Sequence, residues 1–356
     1  MYGRTRSLLM GGILSLLALC YGFLVHLRIA LYAVGIFKKR KLPQWVISVG
    51  NITLGGTGKT PAVIHIAGLL RSHNRYPAVV SRGYRRRNES EIVIVSDGTV
   101  LSADASRGGD EPGLIGARLP GVPVVVGRDR YRAARLAVQV FGADTIVLDD
   151  GFQHVRLRRD LNIVLLDAGD PFGNGKLFPA GILREPLAVL RRAHVVLITR
   201  VDSAMMSIED MKAAIRRHSE APIFTSRHEP TALVETKTGE TLPLSTLRNT
   251  AALGFSGIAR PATFTALLRS LGAEIKAEMV YPDHYFYSKR DLAEIFQKAV
   301  DVGAAMIITT EKDAARLKVL QPDGIWALRI ELKVNQEHDW EKVILEAIEH
   351  SKDHRV

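Results

Sequence analysis

The chain has very little cysteine, and its first quarter lacks acidic residues. Cys20 is the only cysteine in 356 residues, so no disulfide can form within the chain, which fits a reducing compartment. No Asp or Glu precedes Glu89, whereas 14 Lys and Arg residues do; the rest of the chain has 34 basic and 37 acidic residues. A basic N-terminal quarter followed by a near-neutral remainder indicates that the protein binds an anionic surface through its N-terminal part. It argues against a general nucleic-acid-binding protein.

The basic N-terminal quarter also contains the longest apolar run. Leu8 to Val25 has no charged residue, and apolar character returns from Ile29 to Phe37. This length is at the lower limit for a membrane-spanning helix, and no small-x-small site marks a cleaved signal peptide. Three interpretations stay open: a spanning helix, a helix lying in the membrane interface, or a buried core helix. The basic cluster 38–41 suits anionic head groups and, for a spanning helix, places the body in the cytoplasm.

A glycine-rich stretch, SVGNITLGGTGKT at residues 48–60, follows a β-branched run and precedes helical spacing. Glycines at such a junction let backbone N–H groups surround an anion, Lys59 adds a positive charge, and the Thr60 hydroxyl can hold Mg²⁺. The pattern G-x-x-x-x-G-K-[ST] fails only at its first position. We therefore predict a phosphate-binding loop. Its nucleotide-binding residues are Thr53, Leu54, Gly55, Gly56, Thr57, Gly58, Lys59 and Thr60.

Beyond residue 41 the sequence alternates short apolar runs with helical patterns, among them a crossover helix over Arg130–Phe141. Most of the apolar runs are continuous, as in a parallel sheet that is covered on both faces. The predicted strands are 46–50, 78–81, 92–96, 122–126, 145–148, 163–167, 195–199, 223–225, 250–255, 275–280, 304–309 and 325–330. Further helices are predicted from Pro261, Ser288 and Lys312.

This pattern predicts an α/β fold with a mostly parallel sheet of the P-loop NTPase type, a second and smaller α/β domain, and an N-terminal membrane-associated helix. The polar, Thr-rich segment 229–249 is interpreted as a linker with a hairpin near Thr238 and Gly239. The predicted divisions are a membrane-associated helical segment at 1–41, a P-loop kinase domain at 42–228, the linker, a smaller domain at 250–335, and a C-terminal helix and tail at 336–356.

Two acidic stretches could serve phosphate chemistry. Asp149 and Asp150 end an apolar strand in TIVLDDGFQH, where a nucleotide enzyme places its magnesium ligands, although Asp-Asp-Gly is also an ordinary polar turn. Asp110 and Glu111 precede Pro112, so we expect extended or turning backbone there rather than helix. A carboxylate at this position could act as a base or metal ligand, or merely be a solvated helix entry.

Two other stretches suggest different functions. In YPDHYFYS, Asp283 could orient His284 or make it more basic, although such an aromatic cluster can also be an interface plug. TRVD at 199–202 and TTEKD at 309–313 resemble guanine-reading signals of GTPases, but Arg200 replaces the expected lysine. A membrane-tethered GTPase or ATPase, or a non-catalytic scaffold, therefore stays open as an alternative.

Eight motifs occur in order along the chain: GNITLGGTGKTP, SRGYRR, GGDEP, DDGFQH, FPAGILREP, FSGIARPATF, PDHYFY and TTEKDAARL. Taken together, they resemble those of the tetraacyldisaccharide 4'-kinase family, which phosphorylates a lipid A precursor. The resemblance covers about residues 8 to 330, with one departure at Phe178, where leucine is expected.

The resemblance implies a kinase that moves the γ-phosphate of ATP to the 4'-hydroxyl of an acylated disaccharide lipid in lipopolysaccharide biosynthesis. It implies ATP as a substrate and Mg²⁺ as a cofactor, on the cytoplasmic face of the bacterial inner membrane, with the lipid and an anionic membrane surface as partners. No nucleic acid and no obligate protein partner are implied.

The same resemblance implies roles for individual residues. Lys59 contacts the β- and γ-phosphates, Thr60 with Asp149 or Asp150 holds Mg²⁺, and Asp110 is the base, assisted by His284, which Asp283 orients. With Asp110 in the first domain and His284 in the second, the two domains close on the substrate. The implied substrate contacts are Arg82, Arg85 to Arg87, Gln153, His154 and Arg184.

Overall fold

The computed structural model describes residues 2–83, 86, 88–101 and 105–349, with side chains from residue 11 onward except 105 and 106. The helices are α1 (Tyr2–Ala33), α2 (Lys59–Ser72), α3 (Ala105–Gly108), α4 (Asp110–Arg118), α5 (Arg130–Phe141), α6 (Ile208–Arg216), α7 (Pro261–Ser270), α8 (Lys289–Asp301), α9 (Glu311–Leu317) and α10 (Glu337–Glu349). The strands are β1 (Trp45–Asn51), β2 (Pro77–Ser81), β3 (Val93–Ser96), β4 (Val124–Val126), β5 (Thr145–Asp149), β6 (Leu161–Asp167), β7 (Val195–Thr199), β8 (Ile223–Glu235), β9 (Thr241–Leu242), β10 (Ala251–Ser256), β11 (Glu274–Val280), β12 (Met306–Thr310) and β13 (Ile325–Val334).

The first of two compact units comprises Met1–Arg82, Asp129–Arg227 and Lys333–Val356. Its strands lie in the order β8-β7-β6-β1-β5-β2, and each neighbouring pair is parallel. Every residue of β1, β5, β6 and β7 is buried, which explains their continuous apolar sequences. Val49 of β1 lies opposite Asp149 of β5, so both strands deliver their following loops to one edge.

The second unit comprises Gly83–Arg128 and His228–Leu332. Parallel strands in the order β11-β10-β12-β13 form its sheet, β3 and β4 pair antiparallel, and β8 with β9 makes the hairpin predicted near Gly239. The segment 229–249, predicted as a linker, is therefore an ordered part of this unit. The predicted domain boundaries do not coincide with the two units, because α4 packs against α9 and brings residues 83–128 into the second.

Helix α4 begins at Asp110, so the prediction of extended or turning backbone at Asp110 and Glu111 is wrong. Pro112 is the third residue of the helix. The first N–H groups of a helix have no partner within the helix, so a proline in this turn removes no hydrogen bond. The preference of the residue before proline for extended backbone is overridden here.

Helix α1 is long and apolar enough to cross a membrane between Gly11 and Ala33, and only 17% of its 18-residue apolar window is buried. Large apolar side chains on it, such as Leu16, Leu19 and Phe23, are exposed. The interpretation as a buried core helix is therefore wrong, while a spanning helix and an interfacial helix stay open. Tyr21 and Arg28 tie α1 to the first unit: the Tyr21 hydroxyl donates to the Arg184 carbonyl at 2.9 Å, and Arg28 pairs with Glu185 at 3.1 Å.

The C-terminal helix α10 contributes a core residue to the first unit. Trp340 is fully buried, and its ring meets the ring of Phe224 edge to face, with 5.4 Å between the centroids. Trp340→Ala leaves a cavity, so we expect the free energy of unfolding to fall by about 3–5 kcal/mol. Lys342→Ala, on the exposed side of the same helix, is the control and should change it by less than about 0.5 kcal/mol. Denaturant titration in one detergent measures both; equal stabilities would contradict this packing.

Candidate functional site

The phosphate-binding loop connects β1 to α2 in the first unit. Gly55 and Gly58 have φ angles of 106° and 80°, in the left-handed region where a side chain is strained. Helix α2 begins at Lys59, and among the described residues no side chain caps it. The first N–H groups of α2 can therefore bind an anion, reinforced by the helix dipole.

Thr199, the last residue of β7, and Arg200, which follows it, brace this loop. The Thr199 hydroxyl donates to the Thr57 carbonyl at 3.0 Å, and Arg200 donates to the Gly56 carbonyl. Arg200 also pairs with Asp167 at 3.4 Å and takes a left-handed φ of 56°. The TRVD sequence thus supports the phosphate loop, and its arginine is engaged by the protein's own backbone.

Lys59 lies in a charge network at the mouth of the loop. Its ammonium group is 3.2 Å from the Asn51 side-chain oxygen and 3.6 Å from the Asp150 carboxylate. Arg184 contacts the same carboxylate at 3.0 Å. Burial raises the pKa of Asp150, but Lys59 and Arg184 outweigh it and hold that pKa below its usual range. Asp150 is therefore a carboxylate at neutral pH, and it holds Lys59 near the position where phosphates would bind.

Thr60 and Asp149 are two of the three residues that the sequence predicts as Mg²⁺ ligands; the third is Asp150. Thr60 and Asp149 are buried, Asp149 to 2% exposure, and the Asp149 carboxylate accepts a hydrogen bond from Ser81 at 2.8 Å. Carboxylate and hydroxyl oxygens are the ligand types that Mg²⁺ prefers. Among the described side chains, no group of three or more Asp, Glu, His or Cys residues is arranged so that it could hold a metal ion.

Among the residues predicted to contact the substrate, Arg184 belongs to this network, whereas Arg86 lies in the second unit, where it is buried and donates to the carbonyls of Glu89 and Glu91. Gln153 donates to the Asn51 carbonyl at 2.8 Å. Burial, with Arg130 and Arg159 nearby, lowers the pKa of His154 to about 4, so this histidine is neutral at pH 7. Arg82 follows β2, while Arg85 and Arg87 lie outside the described residues.

Sequence reasoning missed Arg130, the first residue of α5. This arginine is buried and interacts electrostatically with Asp149 and Asp150. Burial lowers its pKa, and the two carboxylates partly offset that shift. The only signal in the sequence was an arginine at the start of a predicted helix. Its proximity to the acidic pair depends on the pairing of strands that are distant in sequence.

In the second unit, the structure brings Asp110 and His284 together. The Asp110 Oδ2 atom accepts a hydrogen bond from His284 Nδ1 at 3.0 Å and two from Arg316, at 3.0 Å from Nε and 2.6 Å from Nη2. Asp110 Oδ1 accepts from the Glu111 N–H. Asp283 lies 3.8 Å from His284 Nε2. Asp110 and His284 belong to the same unit, so the inference that two domains must close to unite them is wrong.

These contacts shift the two groups in opposite directions. Burial raises the pKa of Asp110, but the hydrogen bonds and charges of His284 and Arg316 hold it well below its usual range. The hydrogen bond to Asp110 raises the pKa of His284 above 6.5, against the effect of burial. Asp110 is thus a weak base that orients the imidazole, and His284 Nε2 is the atom of the pair that is free of the Asp110 bond.

A phosphate loop at a strand-to-helix junction, with acidic residues ending the neighbouring strand, defines a P-loop protein that handles nucleotide phosphates. The family model described as Tetraacyldisaccharide-1-P 4'-kinase matches residues 10–349. The chain belongs to this family, and its fold is that predicted from the sequence, a P-loop α/β protein with a smaller α/β part and an N-terminal apolar helix.

Individual relatives agree with the family assignment. The chain is 43% identical to the Tetraacyldisaccharide 4'-kinase of Syntrophus aciditrophicus, over 94% of this chain and 92% of that one. It is 41% identical to the enzyme of the same name from Pelobacter propionicus, over 93% and 91%. A crystal structure of LpxK from Aquifex aeolicus in complex with ATP is similar to it at a TM-score of 0.82 and 33% identity, covering 95% of this chain and 99% of that one.

The loop geometry yields a test of Lys59. Lys59→Ala removes the loop's only full positive charge from a partly exposed position, so kcat should fall at least ~100-fold while the fold persists. Arg71→Ala, which removes an exposed cation at the other end of α2, is the matched control and should leave kcat unchanged. Initial rates with circular dichroism of both variants decide the point. A Lys59→Ala protein with wild-type turnover would rule out the phosphate-loop assignment.

Proposed function

We propose that this chain is an ATP-dependent kinase that transfers the γ-phosphate to the 4'-hydroxyl of a tetraacyldisaccharide 1-phosphate lipid. The family match over residues 10–349 carries this conclusion, and the braced phosphate loop supplies the chemistry it needs. A GTPase that phosphorylates no lipid is disfavoured, because Arg200 is held by Asp167 and the loop backbone.

The phosphates of ATP bind along residues 53–60 in this proposal. Backbone N–H groups of the loop and of the first turn of α2 surround the β- and γ-phosphates, and Lys59 exchanges its contact with Asp150 for phosphate oxygens. Arg184 remains on the Asp150 carboxylate, so this acid is never left without a counter-charge. Transfer of this kind depends mainly on position and charge stabilisation.

Thr60 and Asp149 are the residues that would hold Mg²⁺. Asp150 is already committed to Lys59 and Arg184, so we assign direct metal contact to Asp149 and a supporting role to Asp150. A bound Mg²⁺ would neutralise charge on the transferred phosphoryl group.

Asp110 and His284 activate the acceptor hydroxyl as one unit. The sequence assigned the base to Asp110, but both of its oxygens already accept hydrogen bonds. We therefore propose that His284 Nε2 takes the proton of the 4'-hydroxyl. Asp110 holds Nδ1 protonated and stabilises the imidazolium that forms. Asp283, 3.8 Å from Nε2, adds negative charge beside the imidazolium.

The lipid reaches the enzyme from the membrane. The exposed apolar side chains of α1 enter the bilayer or its interface, on the cytoplasmic side where ATP is available, and the basic cluster 38–41 binds anionic head groups. The proposed contacts of the sugar or its phosphate remain Arg82, Gln153 and His154. Arg184 is also a proposed contact, through any guanidinium N–H that does not bind Asp150.

One assay tests the proposed activity directly. ATP labelled in the γ-phosphate is supplied with the acylated disaccharide in mixed micelles, and the lipid and aqueous fractions are counted. We expect label in the lipid, absent in a Lys59→Ala control. Release of free phosphate alone would identify an NTPase, and no turnover at all would identify a scaffold; either outcome would overturn the proposal.

The pairing of Asp110 and His284 predicts non-additive losses. Asp110→Asn and His284→Ala should each lower kcat by roughly 10²–10⁴-fold with little change in KM for ATP, and the double variant should lose little more than the worse single variant. Asp283→Asn, which touches only the ring's other side, should be milder. Steady-state kinetics measures all four, and fully additive losses would show that the two residues act separately.

The basic cluster predicts charge-dependent membrane binding. Lys38→Gln, Lys39→Gln and Lys41→Gln combined should lower partitioning onto vesicles containing phosphatidylglycerol by roughly 10- to 100-fold, and little onto pure phosphatidylcholine. Arg40 is kept because its guanidinium stacks on Tyr131. The control replaces three exposed cations of α8 with glutamine: Lys289, Arg290 and Lys298. Equal losses for the two triple variants would assign the effect to net charge alone.

A further inference from the structure

Arg316 is a buried guanidinium for which the reaction described above gives no role. Its side chain is 1% exposed and lies on α9. One side of the fork donates to the Asp110 carboxylate through Nε and Nη2, and Nη1 donates to Asp313 and to the Gly257 carbonyl, both at 2.8 Å. Arg316 Nη2 is also 3.5 Å from His284 Nδ1, so the cation lies beside the imidazole as well as the carboxylate.

The far end of this network is fixed by complete hydrogen bonding. Asp313 is fully buried and accepts from the Tyr287 hydroxyl at 2.9 Å, the Gly257 N–H at 3.1 Å and the Thr310 hydroxyl at 2.6 Å. A Cβ atom at Gly257 would lie 3.0 Å from the Pro282 carbonyl and 3.2 Å from Asp313. The fork of Arg316 is therefore held in one place, and lysine cannot reproduce its contacts on both sides.

The charges of the cluster explain what the cation does. Asp110, Asp313 and Arg316 together carry one negative charge, which a protonated His284 would cancel. Without Arg316 the two carboxylates would leave two negative charges beside the ring, so His284 would hold its proton more tightly. Among the described residues, the other charged groups near the cluster are Asp283, 3.8 Å from Nε2, and the Glu111–Lys312 pair between α4 and α9, which is neutral as a whole.

We propose that Arg316 is a positioning residue for the Asp110–His284 pair: its fork fixes the Asp110 carboxylate and its charge keeps His284 unprotonated and ready to accept the hydroxyl proton near neutral pH. This inference rests on the proposed role of the pair in acceptor activation. Because Arg316 disfavours the protonation of His284, it affects the rate of the chemical step and the pH dependence of that rate. ATP binding at the phosphate loop needs none of these contacts.

The test compares pH profiles. In Arg316→Gln the midpoint of the acid limb of kcat should move up by about one pH unit or more, so activity falls roughly 10-fold at neutral pH and recovers in alkali. Arg316→Lys should lose rate through misplacement but show a smaller shift, because it keeps the charge. A role that is only structural would lower the rate equally at every pH and leave the midpoint unchanged.

Arg118→Gln is the matched control. Arg118 also joins α4 to α9, through a 2.7 Å ion pair with Glu311, but its partners are Glu311, Glu331 and the Ile330 carbonyl rather than Asp110 or His284. Its midpoint should stay at the wild-type value; a shift equal to that of Arg316→Gln would overturn the proposal.

A readout without substrate separates this inference from the proposed function. The titration of His284 is followed by nuclear magnetic resonance of histidine-labelled protein, with its signal assigned by His284→Gln. We expect the His284 titration to move to higher pH in Arg316→Gln. In Arg316→Lys we expect a smaller move in the same direction, and this variant serves as the test if Arg316→Gln does not fold. An unchanged titration in whichever variant folds would overturn the inference, even if the wild-type protein labels the lipid. Failure of lipid labelling would instead contradict the proposed function alone.

Discussion

One constraint organises both units: parallel strands end at the same edge of a sheet, and the loops that follow them carry the chemistry. In the first unit, β1 leads into the phosphate loop, β5 ends at Asp149, and β7 is followed by Arg200. In the second, Gly257 follows β10, His284 follows β11, and α9, with Arg316, follows β12. Strand pairing therefore assembles polar groups that are far apart in sequence, and burial of the strands fixes their positions.

Each reactive group is held by a counter-charge within its own unit. Asp150 pairs with Lys59 at the mouth of the loop, and in the proposed reaction Arg184 compensates the charge of Asp150 when Lys59 moves to phosphate. Asp110 holds His284, and Arg316 compensates Asp110. Such prearranged charges stabilise a transferring phosphoryl group without reorganisation at the moment of reaction. These pairings also offset the cost of burying charged groups, because every carboxylate in these two networks has a partner at hydrogen-bond or ion-pair distance.

The sequence predicted most of the strands to within about two residues, because continuous apolar runs and glycine-rich junctions are local signals. Its motifs gave Lys59, Asp110 and His284 as candidate site residues. It missed Arg316 and Arg130, whose roles depend on long-range packing, and it separated Asp110 from His284 because nothing local shows that α4 packs on α9. The helical start at Asp110 was missed for another reason, since the rule for the residue before proline takes no account of the free N–H groups of a first turn, where Pro112 lies.

The central claim is that His284 Nε2 accepts a proton and that the phosphoryl group passes directly from ATP to the sugar hydroxyl. The same nitrogen is chemically able to accept the phosphoryl group itself, which would make a covalent intermediate. The stereochemical course of transfer from ATP made chiral at the γ-phosphorus with oxygen isotopes distinguishes the two. A single in-line displacement inverts the configuration at phosphorus, and this is the result the account predicts. Net retention, which requires two displacements through a phosphorylated side chain, would contradict it.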